Sequence, residues 1–536
     1  MRRHIELLFF VAVIAVLAMV CFFMPKDGIH IPFPSSDGND STAVNNGTTL
    51  RFPSITEVLT PADKSRMSIE GLLSDRENSM KIQALPDSVI EARRKLMQAA
   101  DSMRVRDSLL LADTINFYKT FFAENPSRFY LPDSSDVSYI TDLIATLRRE
   151  ARKGIVHIAH YGDSQIEGDR ITSSIRYGLQ DKFGGEGLGI IPTLQMIPSI
   201  TVQESISDSI SRYLVDGTLI QKADHKRYGA LGQLSELNGK TTITINSLAV
   251  KNKKFNKIRL FYTTRKKGLK ATLTAGDLTY EAEDEAGKKY GMMEWDLPTK
   301  ISSFKIRLEG SAELYGFCLC GDKGVVVTNI GLRGSSGTFF TRIDSKSFKY
   351  MHEALNTRLV IMEFGGNATP YLSTDKKIEG YYSSMDAQIK FVKQMLPKAK
   401  IILIGPADMA ETVDGKLQTY RNLEKTVDLM KRVAKDNKVA FWNMYGVMGG
   451  KNSIISWVSN KPPLAASDYI HFSRKGAEKI AHLFLESLNV YDSYSMFQSS
   501  LDRRKKEQSR NRKKKLKEMS AKIPVDKTFA DSISKR

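Results

Sequence analysis

Short apolar segments alternate with longer amphipathic segments along most of the carboxyl-terminal half of this 536-residue chain. The pattern predicts four strands with three helices between them: 325–328, 339–355, 359–364, 379–396, 400–404, 417–436 and 439–442. A last helix is predicted after Ser473. Continuous apolar strands that alternate with helices are typical of a parallel sheet covered by helices on both faces. The sequence therefore predicts a three-layer α/β domain.

The stretch IVHIAHYGDSQIEGDRIT, at residues 155–172, predicts the first strand of this domain and the start of the following helix. The apolar run stops at Gly162, and helical spacing resumes at about Asp169. A buried strand that ends at a glycine and leads into a helix presents a side chain at the carboxyl edge of the sheet, near the helix N–H groups. We therefore interpret Ser164 as a nucleophile. His157 and His160 are predicted to be packed or hydrogen-bonded structural residues.

About 130 residues between the first helix and residue 325 do not alternate in this way. They contain six strand-like segments separated by glycine, Lys-Gly and aspartate turns: TTITINSL, KIRLFYTT, LKATLTAG, LTYEAED, SFKIRLEG and ELYGFCLCG. Short strands at intervals of about ten residues predict an antiparallel β-sandwich, inserted at 195–321. Tyr262, Tyr280 and Trp295 are candidates for exposed rings that stack on sugars, but core or cross-strand packing is the expected role of any one of them.

A serine hydroxyl is a poor nucleophile unless a base removes its proton, and this base is usually a histidine oriented by a carboxylate. His471 follows Asp468 by three residues, in the loop that opens the last predicted helix. This spacing lets one turn hold the carboxylate near Nδ1 while Nε2 faces the serine. The sequence therefore predicts Asp468 and His471 as the partners of Ser164.

Two glycine-rich stretches follow strands of the same predicted sheet, where donors to an oxyanion are expected. In NIGLRGSSG, Gly334 can offer an unobstructed backbone N–H. In FGGNA, Asn367 can offer its side-chain N–H₂. A tight turn is the alternative interpretation of each stretch.

These blocks together resemble those of the SGNH, or GDSL-type, hydrolase family: GDS at 162–164, Gly334 in GLRGSSG, Asn367 in GGN, and Asp468-x-x-His471. The resemblance covers 151–194 and 322–490, and implies the three-layer fold of the family with its flavodoxin-like parallel sheet. The family pattern also has departures here, since Gln165 and Ala368 stand where many members have Leu and Asp.

The resemblance implies a role for each of these residues. Ser164 is the nucleophile, His471 the base and Asp468 the residue that orients it, with Asp163 in a supporting position. The oxyanion hole is formed by Ser164, Gly334 and Asn367. No metal and no organic cofactor is implied.

The position of the predicted sandwich, between the serine and glycine blocks, is similar to that in periplasmic peptidoglycan O-acetylesterases. This resemblance implies a serine esterase that removes O-acetyl groups from an envelope polysaccharide, with peptidoglycan favoured, through an acetyl-Ser164 intermediate. The alternatives are a polysaccharide O-acetyltransferase that uses the same triad, and a non-catalytic, membrane-tethered glycan-binding protein.

Residues 5–24 form an almost wholly apolar run after Met1-Arg2-Arg3-His4. At about 1.5 Å per residue this run spans about 30 Å, and the positive flank predicts a cytoplasmic amino end. We expect residues 1–24 to be a signal anchor in a bacterial inner membrane, with the catalytic part in the periplasm. A cleavable signal peptide is the alternative. Residues 25–87 predict a linker, and residues 88–150 a helical region.

About half of the net charge of +19 lies in a basic tail, residues 491–536, where Arg503–Lys517 contains ten Lys or Arg and one Glu. This composition predicts either a solvated charged segment or contact with an anionic surface. No recognised nucleic-acid-binding module accompanies the tail, so we expect no nucleic-acid partner. The three cysteines form neither a disulfide framework nor a metal-ligand pattern.

Overall fold

The computed structural model describes residues 29–32, 47–50, 103–133, 136–217 and 221–520. Two strands within the predicted linker, β1 (Ile29–Pro32) and β2 (Gly47–Leu50), pair antiparallel. All later described elements belong to a second compact unit. The predicted anchor lies outside the described residues, and so does the first part of the predicted helical region. None of the described helices has both the length and the apolar character that a bilayer crossing requires.

The later strands of the described chain are, in chain order, β3 (Phe129–Tyr130), β4 (Ile155–Gly162), β5 (Gly189–Ile191), β6 (Val202–Ile206), β7 (Ser211–Leu214), β8 (Gln233–Ser247), β9 (Phe255–Ala275), β10 (Leu278–Asp284), β11 (Gly291–Ile301), β12 (Ser303–Cys320), β13 (Gly324–Gly331), β14 (Thr357–Glu363), β15 (Lys400–Ile404), β16 (Ala410–Val413), β17 (Lys416–Thr419) and β18 (Ala440–Trp442). The helices are α1 (Met103–Glu124), α2 (Ser138–Ala151), α3 (Thr172–Phe183), α4 (Ser345–Ala354), α5 (Asp375–Met395), α6 (Leu423–Asp436), α7 (Met444–Met448), α8 (Ser453–Ser459) and α9 (Arg474–Ser520).

The central sheet has six strands in the order β13–β4–β14–β15–β18–β3. The first five are parallel, and β3 pairs antiparallel with β18 at one edge. The predicted parallel sheet is therefore confirmed. Gly162, the last residue of β4, lies in register with Gly331 of β13 and Glu363 of β14. Because parallel strands end at the same edge, residues that follow these three strands meet beside Ser164.

Alternate residues of the central strands are buried in two cores on opposite faces of the sheet. Val156 and Ile158 of β4 pack with residues of α2, α3 and α9. Ala159 and Tyr161 pack with residues of α4, α5 and α6. Burial on both faces is the reason that these strands are apolar at nearly every position, and it produces the three-layer arrangement.

Two predicted helices begin later than expected. The segment predicted as a helix from residue 417 starts with strand β17, which pairs with β16 across Asp414-Gly415. Both turn residues have positive φ, 49° and 74°, as a tight hairpin turn requires, and Asp-Gly suits this geometry. The helix predicted from residue 339 begins at Ser345, because the Asp344 side chain caps it by accepting the N–H of Ser347.

The residues between α3 and β13 form an eight-stranded antiparallel array, β5–β12. The prediction of many short strands was wrong in detail, because β9 and β12 are long and each contains two of the predicted strands. Gly268, from the predicted Lys-Gly turn, and Gly310, the last residue of SFKIRLEG, lie inside these strands at positive φ. A Cβ on Gly310 would collide with the carbonyl oxygen of Gly268, so the glycine permits close approach of the two strands.

Strand β12 contributes to two cores at once. Every residue from Ser311 to Cys320 is buried. Phe317 and Leu319 pack inside the antiparallel array, whereas Cys318 and Cys320 belong to the core on one face of the parallel sheet. The second half of β12 is thus a common wall between the array and the parallel sheet.

Of the two interpretations of the aromatic rings in the array, core packing is confirmed for two of the three candidates. Tyr262 is 0% exposed and Trp295 is 4% exposed, and both lie in the core of the array. Tyr280 is half-buried and packs against the same core. Both rings lie on the face of the β9–β11 pair that is directed at the core of the array. Core packing is therefore the role of Tyr262 and Trp295.

Helix α9 begins where the last helix was predicted but continues far into the segment assigned to the basic tail. Its early part remains attached to the body, since Tyr491 and Asp492 are buried and Asp492 forms ion pairs with Arg148 and Lys182. Residues 502–518 are all exposed. Residues 502–518 thus form an exposed charged helix, and contact of the tail with an anionic surface stays a prediction.

Candidate active site

Ser164 lies in the turn that follows β4 at the carboxyl edge of the parallel sheet. Gly162 is required before this turn, because a Cβ there would lie 2.9 Å from the Ile166 side chain and 3.1 Å from the Glu363 carbonyl oxygen. The turn is closed by Asp163, whose Oδ1 accepts the N–H of Gln165 at 2.9 Å. An Asx turn of this kind fixes the backbone locally and presents the Ser164 side chain above the sheet edge.

The structure brings Ser164, His471 and Asp468 into one hydrogen-bonded series. Ser164 Oγ lies 2.8 Å from His471 Nε2, and His471 Nδ1 lies 2.7 Å from Asp468 Oδ2. The Asp468 carboxylate accepts a hydrogen bond from the Nδ1–H of His471, and this tautomer leaves Nε2 free to accept the serine proton. This is the geometry needed for a serine activated by an oriented base.

Asp468 is held as an ionised acceptor. Its partial burial acts to raise the pKa, but hydrogen bonds from the backbone N–H and ring of His471 and from the N–H of Ile470 outweigh it, and the pKa lies below its ordinary value. The two backbone N–H groups donate to Oδ1 at 3.0 Å and 2.9 Å. Oδ2 therefore stays directed at the ring nitrogen.

The three predicted oxyanion donors differ in whether they line the cleft beside Ser164. Asn367 lines the cleft with Ser164, but its Nδ2 already donates to Asp163 Oδ2 at 3.0 Å and to the Ser335 carbonyl oxygen at 3.2 Å. Gly334, at φ 76°, lies in the turn after β13. It does not belong to the described residues that line the cleft. The oxyanion roles of Ser164, Gly334 and Asn367 stay predictions.

Asp163 connects the turn after β4, residues 162–165, to Asn367. It is 4% exposed and accepts hydrogen bonds from the Gln165 backbone and the Asn367 side chain. Burial raises the pKa of Asp163 to about 7, helped by the neighbouring carboxylates of Glu363 and Glu167 and opposed by these two hydrogen bonds. Asp163, predicted as a supporting residue, is thus a buried acid that orders the turn.

Buried polar residues lie beneath the turn, as predicted for the two histidines of β4. His157 bonds to Thr357 at 2.8 Å and to Thr328 at 2.7 Å, both buried. His160 lies 3.1 Å from Glu363 and 3.0 Å from Thr172. These contacts use both ring nitrogens of each histidine, so the side chains tie neighbouring strands and α3 together.

The sequence analysis missed two residues that connect the turn after β4 to the loop that carries His471. Gln165 donates from Nε2 to the carbonyl oxygen of Ile470 at 2.6 Å and accepts at Oε1 from the N–H of Phe472 at 3.3 Å. Arg170 donates to the carbonyl oxygens of Ser164 and Phe472. Both side chains therefore fix the residues that flank His471. The departure of Gln165 from the family pattern was a signal that could have indicated a special contact.

Replacement of Gln165 by alanine should lower kcat for an aryl acetate by about 10-fold to 100-fold, with little change in KM. The imidazole would lose two contacts that hold its loop, and small misplacements of a reacting group are costly. Steady-state kinetics measures the effect, with Gln203→Ala on exposed β6 as the matched control. An unchanged kcat in a correctly folded Gln165 variant would contradict the positioning role.

A cleft of about 230 Å³ opens beside Ser164. Its wall combines Asp163, Ser164, Asn367 and His471 with a largely apolar remainder that includes Pro370, Tyr371, Pro406, Met409, Tyr420 and Ile470. A few polar groups in the wall of a largely apolar cleft suit an uncharged ester group. Among the residues that the structure describes, no cluster of three or more His, Cys, Asp or Glu is arranged to hold a metal ion.

No protein-family model and no curated protein matches the sequence. Among solved structures, a peptidoglycan O-acetylesterase aligns over 67% of this chain and 98% of its own, with 19% identity and a TM-score of 0.55. The chain has an SGNH-hydrolase-like fold. An acetylxylan esterase from Geobacillus stearothermophilus aligns over 31% of this chain and 73% of its own, at 18% identity and a TM-score of 0.23. The peptidoglycan O-acetylesterase structure confirms the SGNH-like fold that was inferred from the sequence blocks.

Proposed function

We propose that this protein is a serine esterase that removes O-acetyl groups from an envelope polysaccharide, with peptidoglycan as the favoured polymer. The observation that carries the proposal is the series Asp468–His471–Ser164, with distances of 2.7 Å and 2.8 Å between partners. A nucleophile and a base in the wall of a cleft, with an acid that orients the base, have the geometry for acyl transfer.

In the first half of the reaction, Ser164 Oγ attacks the acetyl carbonyl carbon while its proton passes to His471 Nε2. Asp468 stabilises the imidazolium that forms. The negative charge on the carbonyl oxygen faces the proposed donors, the N–H groups of Ser164 and Gly334 and the Asn367 amide. When the intermediate collapses, the sugar oxygen takes the proton from His471 and leaves, and acetyl-Ser164 remains.

In the second half, His471 accepts a proton from water, and the resulting oxygen nucleophile attacks acetyl-Ser164. The tetrahedral intermediate releases Ser164 Oγ, which recovers the proton from Nε2, and acetate departs. One ester bond is hydrolysed and the side chains return to their starting state. The two proton transfers between Ser164 and His471 join groups that already lie 2.8 Å apart.

The choice of peptidoglycan is supported by the fold shared with a solved peptidoglycan O-acetylesterase. It is also supported by the apolar run at residues 5–24 and its positive flank, which favour an anchored protein that faces the cell wall. We propose accordingly that the catalytic part lies in the periplasm of a bacterium.

The test is acetate release from O-acetylated wall glycan by the full chain, compared with an acetylated hemicellulose and a simple aryl acetate. We expect all release to depend on Ser164 and the wall glycan to be preferred. A preference for hemicellulose would contradict the choice of polymer. Transfer of acetyl groups from a donor to glycan, without net release of acetate, would contradict hydrolysis.

A further inference from the structure

Tyr371 differs from the other aromatic side chains of the described residues. It is 72% exposed, and among the exposed large apolar side chains that the structure describes it is the one aromatic. It lines the same cleft as Ser164 and His471. An aromatic ring kept in water at the mouth of a cleft forgoes the free energy of burial until a ligand covers it.

The backbone under this ring is firmly held. Tyr371 ends the 3-10 turn Thr369–Tyr371, and its N–H donates to the Ala368 carbonyl oxygen at 2.9 Å. Thr369 is fully buried, and its Oγ1 bonds to the Gly365 carbonyl oxygen at 2.9 Å and to Thr426 Oγ1 at 3.2 Å. Pro370 fixes the backbone dihedral between them. The ring therefore projects from a preorganised turn, so little order is lost when a ligand packs on it.

The chemistry of the surroundings indicates the class of ligand. The ring is flanked in the cleft wall by Pro370, with Pro406 and Tyr420 also in that wall, and the acetyl-accepting hydroxyl of Ser164 lies in the same cleft. A pyranose ring has an apolar C–H face that suits an aromatic face, and hydroxyl groups at its edge that suit the phenol oxygen. A planar apolar platform beside an ester site is suited to hold the sugar that carries the ester.

We propose that Tyr371 is a stacking platform for a pyranose ring of the acetylated glycan, and that it determines preference for carbohydrate esters over simple acetates. The inference rests on the proposed esterase function and assigns a sugar-binding subsite to the cleft. It gives Tyr371 a role in binding the glycan, while the acetyl group itself is handled by Ser164 and His471.

The test compares two substrates in the Tyr371→Ala variant of the full chain: an O-acetylated glycan oligosaccharide and an aryl acetate. We expect KM for the oligosaccharide to rise about tenfold with little change in kcat, the loss of one aromatic contact. The increase in KM should be clearly smaller for the aryl acetate, which lacks the pyranose ring. Tyr371→Phe and Tyr371→Trp, which keep a flat ring, should retain most of the oligosaccharide affinity.

The matched control is Leu278→Ala, which truncates an exposed large apolar side chain outside the cleft and should leave both substrates unaffected. An unchanged KM for the oligosaccharide in Tyr371→Ala would overturn the inference. So would an equal loss on both substrates, since that would indicate a general disturbance of the site. Absence of wild-type activity on the aryl acetate and the oligosaccharide alike would instead refute the esterase function itself.

Discussion

Replacement of Ser164 by alanine is expected to lower kcat for aryl acetate hydrolysis by roughly 10⁶-fold, the cost of removing the nucleophile of a serine triad. Without Oγ no acetyl-enzyme can form, and His471 Nε2 loses the partner that lies 2.8 Å away. KM should change little, because the cleft walls remain. Release of acetate or of the aryl alcohol measures the effect.

Two controls separate this loss from misfolding. The thermal midpoint of Ser164→Ala should stay close to that of the wild type, because one half-buried hydroxyl is removed at the surface of the cleft. Ser383→Ala, on an exposed face of α5, makes the same change outside the cleft and should retain full activity. If the Ser164 variant kept activity within tenfold of the wild type, another nucleophile would have to be responsible.

Replacement of Asp468 by asparagine is expected to lower kcat by roughly 10³-fold to 10⁴-fold. An asparagine amide can place its N–H₂ against His471 Nδ1, which favours the ring tautomer with the proton on Nε2. That tautomer cannot accept the proton of Ser164. Burst and steady-state kinetics with an aryl acetate would locate the loss in the acylation step.

The matched control for this change is Asp428→Asn on the exposed side of α6, which should be silent. The Asp468 variant should also bind substrate normally, since its side chain contacts the His471 ring and backbone rather than the cleft wall. A full kcat in Asp468→Asn would show that the carboxylate does not orient the base. The proposed mechanism would then need a different partner for His471.

The parts of the fold that the sequence predicted are those with a local signature. β15 could be bounded correctly from its apolar run, because a strand buried on both faces has few polar residues. Ser164 was identified because a strand, a glycine and a helix follow each other within a few residues. Asp468 and His471 were identified because three residues separate them.

The parts that the sequence did not predict depend on contacts between distant segments. Gln165 and Ile470 are separated by 305 positions, and no local pattern indicates their hydrogen bond. Strand spacing left two interpretations for Tyr262 and Trp295, core packing and sugar stacking, and only the packing of the strands in the array decides between them. The β16–β17 hairpin was missed although Asp414-Gly415 carried its turn signal, because the helical pattern after it was extended too far.

The common wall formed by β12 limits how this gene could change through recombination. A deletion between residues 195 and 321 would remove Cys318 and Cys320 from the core that they share with Val326 of β13, the strand beside β4. The antiparallel array therefore cannot be exchanged as an independent cassette. Any replacement would have to supply side chains of matching volume at those positions.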